Sequence, residues 1–108
     1  MKVLTVELVE SNRRERVSGG VYIQFESTEN VKKDDYFQIK VLNHTFDFKA
    51  NGIKVIGEKL MITAKEVGYW AQKLDKGGID LREVIGCEVN PVTDESEKAK
   101  IYQRSCWC

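Results

Sequence analysis

Apolar residues fall on every second position at the start of the chain: Leu4, Val6 and Leu8 alternate with Val3, Thr5 and Glu7. After a polar stretch, Val21, Ile23 and Phe25 alternate with Tyr22, Gln24 and Glu26. A period of two is the signature of a half-buried strand. Antiparallel pairing with Leu8 opposite Val21 sets Val6 opposite Ile23 and Leu4 opposite Phe25, all on one face. The connection 9–20, which contains Arg13-Arg14-Glu15-Arg16, then becomes a long exposed loop.

The segment 36–62 holds three candidate two-residue turns, Asn43-His44, Asn51-Gly52 and Gly57-Glu58. Asn-Gly is a strong hairpin signal, and Asn, His and Gly tolerate the positive φ that tight turns demand. The first turn sets Val41, Ile39 and Phe37 against Phe46, Phe48 and Ala50. The second sets Phe48 against Val55 and Ala50 against Ile53. The third sets Val55 against Leu60 and Ile53 against Ile62. Opposed residues share a face, so this meander sorts Phe37, Ile39, Val41, Phe46, Phe48, Ala50, Ile53, Val55, Leu60 and Ile62 to one side. Lys49 opposite Lys54 is the one unfavourable pair.

Thr63-Ala64-Lys65-Glu66 has the capping-box pattern, with Ile62 and Val67 spaced as a hydrophobic staple, and predicts a helix from Ala64. Val67, Trp70, Ala71 and Leu74 recur at helical spacing, and Gly77-Gly78 supplies the stop. Asp80-Leu81-Arg82-Glu83 predicts a short helical connector closed by Gly86. Segments 87–92 and 98–107 then read as a closing strand pair around the acidic turn Asp94-Glu95-Ser96-Glu97. The expected fold class is α+β. A meander of antiparallel hairpins forms a sheet or partly open barrel, one main helix packs on it, and a C-terminal hairpin closes a single domain over 1–108.

With 42% hydrophobic and 31% charged residues, the 108-residue chain lies outside the regime of disorder and can close one modest core. Seventeen basic and seventeen acidic residues cancel, so no global field draws a polyanion or a membrane surface. No run approaches the roughly 20 apolar residues of a membrane span, and a cytoplasmic location is expected. Cys87, Cys106 and Cys108 are an odd number crowded near the end, read as reduced thiols rather than a disulfide framework or metal site. His44, the sole histidine, is read as a turn residue. No cofactor, metal ligand set, nucleophile or phosphate-binding loop is recognisable.

The first expectation is therefore a non-catalytic protein-interaction module, an accessory, inhibitor or adaptor that binds another protein or a second copy of itself. Leu42, Ile56, Met61, Tyr102 and Trp107 interrupt polar surface and are its candidate contacts. The second is single-stranded nucleic-acid binding, with Arg13, Arg14 and Arg16 supplying charge and Tyr22 and Tyr36 supplying stacking rings. A small enzyme, or a thiol or metal site of unspecified type, is the third. A short, neutral, motif-poor chain also suits a phage or another mobile element.

Overall fold

The structure, a computed structural model, describes residues 1–16, 19–67, 74 and 78–105, the side chains of 104 and 105 excepted. Its strands are β1 (Thr5–Val9), β2 (Gly20–Ser27), β3 (Tyr36–Val41), β4 (His44–Ile56), β5 (Lys59–Val67) and β6 (Val89–Pro91). A 3₁₀ helix spans Leu81–Val84 and an α-helix, α1, spans Glu95–Ser105. The strands form one open sheet in the order β1-β2-β5-β4-β3-β6, with antiparallel neighbours throughout. The fold is thus α+β on an antiparallel sheet.

The sheet curls strongly. Three strand spacings separate β2 from β3, about 14 Å in a flat sheet, yet the Phe25 and Phe37 rings meet edge to face with centroids 5.0 Å apart. Curling also brings the N-terminus to the far end of the sheet. There Lys2 bridges Glu88, and the terminal ammonium lies 3.0 Å from Glu88 Oε1.

Where local turn chemistry and two-sided pairing agree, the expected registers hold. Val6 faces Ile23 and Leu8 faces Val21; Val55 faces Leu60 and Ile53 faces Ile62 across the Gly57-Glu58 turn. The β3–β4 turn is Leu42-Asn43, not Asn43-His44, with φ of 50° and 68° at its two central residues, the signs a type I′ turn requires. Ile39 therefore faces Phe46 and Phe37 faces Phe48. The shift is two residues, so every side chain keeps its face. It also sets Gln38 opposite Asp47, where Gln38 Nε2 donates to Asp47 Oδ1 at 3.0 Å.

Asn51-Gly52 makes no turn. β4 runs straight through it with a β-bulge between Ala50 and Gly52 opposite β5. Both a two-residue turn and a one-residue bulge move the inward positions from even to odd numbers, which is why the side assignment survives while the hairpin does not.

Two other expectations are corrected. Residues 63–67, expected to open the main helix, belong to β5, which has β2 on one side and β4 on the other. Two backbone ladders outweigh one local capping box. Trp70, Ala71 and Gly77 of that expected helix lie outside the described residues. The C-terminal hairpin is also replaced, because residues 95–105 form α1. Asp94 caps it, its Oδ1 accepting from Ser96 N at 2.8 Å and Glu97 N at 3.4 Å. The Ala, Lys, Glu and Gln of this segment favour helix. β6 pairs with β3 instead, Val89 facing Ile39 and Pro91 facing Phe37.

The concave face holds the core: Val21, Ile23, Phe25, Phe37, Ile39, Phe48, Ala50, Ile62 and Ala64, joined by Val3, Leu74, Val84 and Val89. Each large buried side chain contributes about 1.5–3 kcal/mol. Glu66 is also buried on this face, opposite Phe48, and its carboxylate accepts from the backbone N–H of Leu74 at 3.0 and 3.2 Å. The helix lies on the other side. Glu97 of α1 accepts from Gln38 on the outer face, and Ile101 is fully buried yet apart from the core cluster.

Candidate functional site

β4 has thirteen residues and β3 six, so the two cannot match along their lengths. Pairing with β3 ends at Tyr36 opposite Lys49. One further pair of bonds, Ala50 N to Asp35 O at 2.8 Å and Asp34 N to Ala50 O at 3.0 Å, ends the contact. Asp34, at φ 74°, marks the sharp change of direction there. Past Ala50, the β3 side of β4 has no strand partner among the described residues, while its other side stays paired with β5 as far as Ile56.

This bare edge is apolar. Val55 is 71% exposed, Ile56 52% and Ile53 36%, although all three sit in a regular strand. Ile53 and Val55 point to the concave face, Lys54 and Ile56 to the outer face. Met61, half-buried, faces Lys54 and so lies diagonal to Ile56. A strand edge with unpaired amides and carbonyls and exposed β-branched side chains is a template for another strand.

Of the residues expected to make protein contacts, Ile56 and Met61 are brought together here. Leu42 is at the opposite end of β4, 65% exposed at the tip of the β3–β4 turn. Its left-handed conformation is costly for leucine. Tyr102 is exposed on α1, and Trp107 lies outside the described residues.

The outer face carries a second arrangement. Register places Glu7, Tyr22, Lys65, Lys49 and Tyr36 in one row across β1, β2, β5, β4 and β3. Lys49 and Lys65 are like charges side by side, relieved by Asp34 Oδ1 at 3.5 Å from Lys49 Nζ. A shallow hollow of about 250 Å³ beside the row is lined by Thr5, Glu7, Val9, Tyr22, Gln24 and Thr63. Thr5 Oγ1 donates to Gln24 Oε1 at 3.0 Å within it. The row thus unites Tyr22 and Tyr36. Arg13, Arg14 and Arg16 are exposed in the β1–β2 loop, in a turn built on the Asn12 side chain, which accepts from Arg14 N and Glu15 N.

His44 is the first residue of β4 rather than a turn residue, with its ring 6.5 Å from that of Phe46. Cys87 is half-buried and its thiol donates to Glu83 O at 3.1 Å; Cys106 and Cys108 lie outside the described residues. Among the described residues, no group of three or more His, Cys, Asp or Glu side chains could hold a metal ion, and no helix is long and apolar enough to cross a membrane. Asp80, fully exposed, is held below the usual carboxylate range by the Arg82 side chain that donates to it.

The bare stretch of β4 was missed from sequence. Its signal was present in Ile53-Lys54-Val55-Ile56, but the Asn51-Gly52 hairpin expectation assigned that stretch an interior place between two strands. No family model, curated protein or solved structure matches the chain.

Proposed function

We propose that the protein is a non-catalytic interaction module that receives an extended segment of a partner along residues 52–56 of β4. One observation carries this reading: β4 outruns β3 and, among the described residues, leaves unpaired backbone flanked by exposed Ile53, Val55 and Ile56. Strand addition of this kind takes affinity from main-chain hydrogen bonds and specificity from alternate side chains. A cytoplasmic setting accords with the free thiol of Cys87. The test is affinity capture from cells that make the protein, using wild type and Val55→Lys. A partner retained by wild type and lost by the variant is expected; equal retention by both overturns the reading.

A second reading, single-stranded nucleic-acid binding, is favoured by the Tyr22–Lys65–Lys49–Tyr36 row. It sets two rings three strand spacings apart on the outer face with two ammonium groups between them. Stacking contributes about 1–3 kcal/mol per base. Fluorescence anisotropy with a labelled oligonucleotide at low salt should then show roughly tenfold weaker binding on Tyr22→Ala or Tyr36→Ala. Further weakening is expected when Arg13, Arg14 and Arg16 are replaced by Ala, and no binding by wild type at low salt removes this reading.

A further inference from the structure

Eight large apolar side chains stand exposed among the described residues, and five of them belong to two unpaired edges of the same sheet. Ile53, Val55 and Ile56 lie on the bare stretch of β4. Leu4 and Leu8, 46% and 49% exposed, lie at and beside β1, the terminal strand, which among the described residues has only β2 as a strand neighbour. We propose that β1 of one copy of the chain pairs antiparallel with residues 52–56 of β4 in a second copy. This rests on reading the β4 edge as the interaction surface, and it names the occupant.

The two edges match in register. Side chains from both copies must share faces, so concave-face residues meet concave-face residues. With Glu7 opposite Lys54, Val6 falls opposite Val55 and Leu8 opposite Ile53 on the concave face. Thr5 then meets Ile56 on the outer face, and Val9 meets Gly52. On the concave face apolar side chains thus oppose apolar ones, and on the outer face the one carboxylate meets the one ammonium. Neither Glu7 nor Lys54 has an ion-pair partner within its own chain among the described residues.

A slip of two residues loses the charge pair, and a slip of one turns apolar residues against polar ones. Pairing of β1 with β1, or of β4 with β4, leaves Glu7 or Lys54 without a counter-charge. The five-residue match also ends where it must, since the next concave position on β4, Ala50, is already bonded to Asp34 and Asp35. After one such contact the first copy still offers its β4 edge and the second its β1 edge, so the assembly grows head to tail instead of closing as a dimer.

The test is sedimentation velocity at low salt on wild type, Glu7→Lys, Lys54→Glu and an equimolar mixture of the two variants. Both side chains are exposed, and circular dichroism verifies that the variants fold. A contact this small is weak, so the average mass of wild type is expected to rise above the 12.4 kDa of one chain as concentration approaches about 1 mM. Each variant alone should associate about tenfold more weakly. The mixture should recover wild-type association, because each variant's altered edge then meets its complement. Wild type that remains a single chain at about 1 mM, variants that associate like wild type, or a mixture no better than its components would each overturn the inference. If wild type stays monomeric while Val55→Lys still loses a captured partner, the β4 edge binds a different protein and only the self-pairing falls.

Discussion

The two halves of β4 carry the same alternation of apolar and polar residues but end in opposite environments. Phe46, Phe48 and Ala50 are buried between β3 and β5 under the core, whereas Ile53 and Val55, pointing to the same concave face, stand in solvent. Composition does not separate them. What differs is the neighbour: among the described residues the first half has a strand on each side and core residues above it, and the second has a strand on one side only. Burial in a sheet is set by the length of the flanking strands as much as by the pattern of the strand itself.

The sharpest way to break this comparison is to truncate one side chain in each half. Phe48→Ala should lower the free energy of unfolding by about 3–5 kcal/mol. Val55→Ala, at an exposed site, should change it by no more than about 0.5 kcal/mol; urea unfolding compares the two, and similar losses would mean that the outer half is covered. Next in size is Glu66→Gln, beside Phe48 in the buried half. Weakening the charge-assisted bond to Leu74 and burying a new NH₂ should cost about 1–3 kcal/mol, with faster hydrogen exchange at the Leu74 amide.

At the far end of β4, Leu42→Gly should relieve the left-handed backbone and raise stability by about 0.5–1 kcal/mol. A partner lost at the same time would assign Leu42 a contact role. The smallest effect belongs to Asp80, the exposed counterpart of buried Glu66. Its lowered pKa means that its contribution is present above the ordinary value of 3.8 and is lost as pH falls through the lower folded-state value. NMR titration of Asp80→Asn against wild type should show stability curves that differ in pH dependence only below that value.

Local signals carried the fold wherever they agreed with the pairing on both sides. The β1–β2 register and the Gly57-Glu58 turn were readable because each rests on adjacent residues and a period of two. Thr63-Ala64-Lys65-Glu66 misled because a capping box is written in four residues, whereas the two strands enclosing β5 come from 20–27 and 44–56. Buried Glu66 also broke the apolar alternation that would have extended β5 past Ala64. In α1 the cap was written plainly at Asp94 and Glu97, but Ile101 as the one buried large apolar side chain gave too faint a stripe to override the apparent strand alternation. The row that joins Tyr22 to Tyr36 could not be read at all, since it spans four strands whose order was unknown.

The irregularity at Asn51 has one further consequence. Strand side chains are assigned to faces by odd and even count, and the unpaired residue offsets that count once, between Ala50 and Gly52. Deleting it would straighten the strand at that point but re-sort nothing: Gly52 would follow Ala50 on the outer face, Ile53 and Val55 would stay on the concave side and Lys54 and Ile56 on the outer one, so the exposed tip would keep its chemical surface while losing the local bend that aims it.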